Sequence, residues 1–110
     1  MLEIRYYVTQ DGRSPFADWF ASLEPVARAK IARAIARIEQ GNLSNVKSVG
    51  EGVLEYKIDF GPGYRVYFGR AGADLVILLT GGTKKRQQRD IKAATEQWKA
   101  YKIDERAGQV

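Results

Sequence analysis

From Leu54 to Phe68 apolar and polar residues alternate on either side of Gly61-Pro62-Gly63, and this stretch constrains the fold more than any other. Leu54, Tyr56, Ile58 and Phe60 interleave with Glu55, Lys57 and Asp59; beyond the turn, Tyr64, Val66 and Phe68 interleave with Arg65 and Tyr67. A period of two puts each set on its own face of an antiparallel hairpin. The apolar faces coincide only if residues of equal parity pair, which fixes the register to within two residues. A reversal centred on Gly61-Pro62 sets Asp59 opposite Arg65 and Lys57 opposite Tyr67. Glu55, Lys57, Asp59, Arg65 and Tyr67 then share the face turned away from the main core. That face reads either as a solvated surface with an Asp59–Arg65 ion pair worth roughly 0.2–1 kcal/mol, or as a nucleic-acid site. In the second reading Arg65 and Lys57 hold phosphate and Tyr67 stacks a base.

The rest of the chain supplies partners for the hairpin. Leu2, Ile4, Tyr6 and Val8 alternate with polar residues and predict a strand over 2–8, closed by Asp11-Gly12. Ser14-Pro15 is a helix start, and Phe16, Trp19, Phe20 and Leu23 carry the helix to about residue 23. Pro25 opens a second helix with Val26, Ala27, Ile31, Ala34, Ile35 and Ile38 on its apolar side and Lys30, Arg33 and Arg37 opposite, ending near Gly41. Residues 41–52 read as a connecting loop. The run Leu75 to Leu79 predicts a central strand over 74–80, covered on both faces. Ile91, Ala94, Trp98 and Tyr101 predict a last helix over 88–101 with a frayed tail from Lys102. The expectation is a single α+β domain over 1–110, ordered β-α-α-β-β-β-α.

Composition narrows the chemistry. Among 110 residues there is no His and no Cys, which removes thiolate nucleophiles, Cys-type zinc sites and a Ser-His-Asp hydrolase. No phosphate-binding glycine motif occurs, so neither a metal nor a cofactor is expected. No apolar run approaches the ~18–20 residues of a membrane span, and a soluble cytoplasmic protein is expected. Lys and Arg number 18 against 13 Asp and Glu, a formal charge of +5 that favours an anionic partner, nucleic acid first. Lys84, Lys85, Arg86, Arg89 and Lys92 gather between the central strand and the last helix, where backbone N–H groups and the helix dipole already favour an anion.

Taken in order, Gly52-Val53-Leu54-Glu55-Tyr56-Lys57-Ile58-Asp59, Phe60-Gly61-Pro62-Gly63-Tyr64-Arg65-Val66-Tyr67-Phe68 and Leu79-Thr80-Gly81-Gly82-Thr83-Lys84 resemble the RelE/ParE toxin superfamily. The likeness is greatest to its HigB-like branch of addiction-module killer proteins. Ser14-Pro15-Phe16 and Asp90-Ile91 also fit, so the resemblance spans about residues 2–101. It implies a small, mainly antiparallel sheet packed on two N-terminal helices. It further implies the toxin of a type II toxin–antitoxin module, a ribosome-dependent mRNA endonuclease that inhibits translation. The alternatives are a ParE-like DNA gyrase poison and a non-catalytic basic nucleic-acid-binding module. The implied partners are a cognate antitoxin of helix-turn-helix type, the ribosome and mRNA.

By position, Lys57 and Arg65 match basic strand residues of the RNA-cleaving relatives, and Lys84 matches the basic residue after the last strand. The resemblance implies that Arg65 and Lys84 stabilise phosphate charge while Lys57 moves a proton. Tyr67 would stack or orient a base, and Lys85, Arg86 and Arg89 would grip messenger or ribosomal phosphate. Several HigB-like proteins also use a C-terminal Asp/His group; here there is no His, and Asp90 opens the last helix.

Overall fold

The computed structural model describes residues 1–107. Strand β1 (Glu3–Tyr6) is followed by helices α1 (Pro15–Ala21) and α2 (Pro25–Glu39), strands β2 (Val46–Gly50), β3 (Val53–Ile58), β4 (Tyr64–Ala71) and β5 (Leu75–Thr83), a 3₁₀ turn (Lys84–Arg86) and helix α3 (Gln87–Ala107). The class is α+β, with one five-stranded mixed sheet ordered β1-β5-β4-β3-β2. Only the β1–β5 pair is parallel among these neighbours. No helix among the described residues is long and apolar enough to cross a membrane.

Local chemistry explains the helix starts. The Ser14 hydroxyl accepts the N–H of Ala17 at 3.1 Å, and Pro15 takes the first helical position of α1, where its missing N–H costs nothing. Pro25 does the same for α2 after Glu24, and Gly41 receives the chain past the C-cap at φ 81°.

Three expectations are corrected. The segment expected as a loop over 41–52 contains the edge strand β2, which pairs antiparallel with β3. Its Gly, Ser and Asn content hides the strand, but backbone pairing to a well-formed neighbour overrides such weak propensity. The sheet also packs on more than the two N-terminal helices. One face buries Phe16, Ile31, Tyr56, Val66, Phe68 and Leu78 with α1 and α2, while the other buries Val53, Tyr67, Ile77 and Leu79 against Ala94 and Trp98 of α3. Finally, α3 does not fray at Lys102: it continues through Ala107, and the last part of the expected tail, 108–110, lies outside the described residues.

The end of β5 governs the candidate site. Tyr67 pairs with Thr80 and Phe68 with Leu78, so Leu79 is an extra residue on β5. Such a bulge reverses the alternation beyond it. Gly81 consequently faces the ring of Trp19 on the α1 side, and Gly82 faces Asp90 on the α3 side. At both positions a β-carbon would collide with that neighbour, so the sheet admits close cover on both faces here only because neither residue has a side chain. Gly69 serves the same purpose further along, where a β-carbon would come within 2.6 Å of the Trp98 ring.

Candidate functional site

The hairpin pairs two residues away from the expected register. Lys57 lies opposite Arg65, Glu55 opposite Tyr67, and Ile58 opposite Tyr64, so the turn spans 59–63. The expected Asp59–Arg65 pair is therefore absent; Asp59 Oδ1 instead lies 3.6 Å from Lys57 Nζ. Parity is as expected, and Lys47 of β2, opposite Glu55, joins the same face.

That face is neither fully solvated nor fully open, because the start of α3 covers its middle. Glu55 is 1% exposed and Arg65 is 4% exposed, with Arg65 Nε 4.0 Å from Glu55 Oε2. Glu55 Oε2 also accepts a hydrogen bond from Gln87 Nε2 at 2.8 Å, and Oε1 lies 3.7 Å from Lys47 Nζ. Arg65 donates from Nη1 to the carbonyl of Gly63 at 3.2 Å, and the same carbonyl accepts the backbone N–H of Lys84 at 2.8 Å. Thus β3, β4, the turn after β5 and the first turn of α3 meet on one buried ion pair. Glu55 Oε1, Arg65 Nε and the Tyr67 hydroxyl have no hydrogen-bond partner among the described residues.

Two groups at this junction titrate abnormally. Burial pushes the Tyr67 phenol up, and the neighbouring Glu55 carboxylate adds to it. Burial also pushes the Asp90 carboxyl up, against the opposing pull of Arg89 and Arg86; Arg89 Nη2 is 3.7 Å from Asp90 Oδ1.

The expected site residues separate into two sets. Lys57, Lys84, Lys85, Arg86 and Arg89 are exposed. Arg65 and Tyr67 are buried, and Tyr67, at 0% exposure, presents no ring face for a base to stack on. The base-stacking expectation is thereby corrected: α3 covers a side chain that the two-strand pattern alone leaves outside. The backbone does bring Lys57, Arg65 and Lys84 to one corner, since Arg65 pairs with Lys57 on one side and Gly82 on the other, two residues before Lys84. Gln87 and Lys47 are not among the expected residues. Lys47 sits in the segment expected as a loop, and nothing in the sequence marks Gln87 as a partner for Glu55.

Chemically, the corner offers exposed ammonium groups on the rim of a buried ion pair. This arrangement can hold a phosphodiester and offset charge that develops on it.

A family model described as "Phage derived protein Gp49-like (DUF891)" matches residues 18–105, from within α1 almost to the end of α3. An uncharacterised protein of Haemophilus influenzae is 46% identical over 80 residues, covering 72% of this chain and 81% of that protein.

Proposed function

Because the chain belongs to the Gp49-like family of phage-derived proteins, a family of the RelE/ParE-like toxin superfamily, we propose that it is the toxin of a type II module and cleaves mRNA on the ribosome. The Phe60 to Phe68 hairpin supports its place in the HigB-like branch. An antitoxin partner follows from the superfamily in general; a helix-turn-helix antitoxin and a cytoplasmic site of action complete the reading.

The observation that carries the proposal is the corner itself, with Lys57 and Lys84 exposed around the buried Arg65–Glu55 pair. Cleaving RNA through a neighbouring 2′-hydroxyl requires a proton acceptor, a proton donor and positive charge beside the phosphate. Lys84 holds the phosphate, and the Lys57 ammonium donates its proton to the leaving 5′-oxygen while water takes the proton of the attacking 2′-hydroxyl. Arg65 acts from beneath, as a positioning residue whose positive charge raises the local potential and whose bond to Gly63 fixes the loop next to Lys84. Lys85, Arg86 and Arg89 extend the grip along messenger or ribosomal phosphates.

The test is cleavage of a translated mRNA by purified protein on programmed ribosomes. Lys57→Ala and Lys84→Ala are expected to lower the rate by about 10²-fold or more with the fold intact by circular dichroism. Unchanged cleavage in both variants would remove this site. Trapped DNA breaks with translation spared would transfer the protein to the gyrase-poisoning class.

A further inference from the structure

A cleft of about 620 Å³ opens between α2 and the β2–β3 edge of the sheet. Lys30, Arg33 and Arg37 line it from α2, and Lys47 and Lys57 line it from the strands, with Asp59 as its one acidic residue. The three helical cations are three and four residues apart, so they stand in one row at intervals of about 4.5 and 6 Å along the axis. Like charges at such spacings oppose helix formation by roughly 0.2–0.5 kcal/mol per pair. Yet Arg33 and Arg37 have no carboxylate within salt-bridge distance among the described residues; Lys47 and Lys57 are the cations of the cleft that do. Phe60 forms part of the wall, with the Lys30 ammonium 5.1 Å from its ring centre. Lys30, Arg33 and Arg37 in one row on an open, polar cleft, with no carboxylate opposite Arg33 and Arg37 among the described residues, is an arrangement an anionic chain would relieve.

We propose that this cleft binds a single RNA strand by its phosphates, as a second contact surface separate from the scissile corner. Lys57 lines the cleft and lies opposite Arg65 of the corner, so it stands where the two surfaces adjoin. In the cleft the row on α2 meets successive phosphates, and Ser44 and Asn45 supply neutral hydrogen-bonding groups. The choice of RNA over an acidic peptide rests on the cleavage reading above; the existence of an anion-binding cleft does not.

The experiment measures fluorescence anisotropy of a short 2′-O-methyl oligoribonucleotide, which cannot be cleaved, over a range of salt concentrations. Removing one cation from a phosphate lowers the magnitude of the salt slope by about 0.7 for a single strand, so Arg33→Gln/Arg37→Gln is expected to lower it by about 1.4 and weaken low-salt binding about tenfold or more. Lys30→Gln, in the same row, gives an independent variant with a smaller effect in the same direction. Retention of the wild-type slope by folded variants overturns the proposal. So does tighter wild-type binding of a polyglutamate peptide that disappears in the variants while RNA binding persists. If the wild type cuts no mRNA yet the slope falls as stated, the cleavage reading fails and the cleft assignment stands.

Discussion

The Asp90 carboxyl fills the space that a side chain on Gly82 would occupy, so the last turn of the sheet and the first turn of α3 lock together through a missing β-carbon. Gly82→Ala should therefore wedge α3 away from the sheet at a cost of about 1–3 kcal/mol, visible as a fall of several degrees in Tm. Adding Asp90→Ala should recover part of the loss, since the two changes remove one shared clash. Additive effects in thermal melts would show that the contact does not govern this junction.

Glu55 and Arg65 should behave as a unit. Glu55→Ala leaves a guanidinium in a site only 4% exposed, and breaking a buried pair of this kind costs about 3–5 kcal/mol. Replacing both by Met should restore much of that stability in urea titrations, because no uncompensated charge remains. RNA cleavage should stay low in the double variant, which separates the electrostatic role of Arg65 from its structural one.

Tyr67→Phe should be neutral or stabilising by up to about 1 kcal/mol, since the phenol is wholly buried and makes no hydrogen bond among the described residues. Because burial raises the phenol's pKa, folding favours its protonated form. The contribution is present below the ordinary value of 10.0 and is lost as pH rises through the elevated one. Denaturation curves should accordingly show a smaller alkaline loss for Tyr67→Phe than for the wild type, and cleavage should remain within a few-fold.

Asp90 carries the same sign at acid pH. Its carboxyl is raised by burial, so its contribution to stability is fully present below the ordinary 3.8 and disappears as pH climbs through the raised value. Asp90→Asn should gain on the wild type between about pH 3 and about pH 7, measured by urea midpoints. A gap that narrows over this interval would mean that Arg89 and Arg86 outweigh burial.

Much of this was legible in the residues, and the failures have definite causes. Alternation around Gly61-Pro62-Gly63 gave the β3–β4 hairpin and its two faces, because parity is set by the side-chain period. It could not choose between registers two residues apart, and the five-residue turn set Lys57 rather than Asp59 opposite Arg65. Strand β2 is hidden in the sequence because Val46 and Val49 are its only large apolar residues, and its order comes from pairing with β3. The helical period of Ile91, Ala94 and Trp98 announced α3, but periodicity does not say which surface a helix will cover. That omission made Tyr67 and Arg65 look exposed.

The parallel pairing of β1 with β5 joins residue 3 to residue 75, so the first strand made is among the last to find its place. Closing so long a loop makes that step a late one in folding, after the local β3–β4 hairpin can already form. A growing chain can thus build its hairpin early, but it cannot complete the sheet that carries Gly82 and leads into Lys84 until β5 has been synthesised. For a protein proposed to attack the translation machinery, this order of events delays assembly of the charged corner until most of the chain has been made.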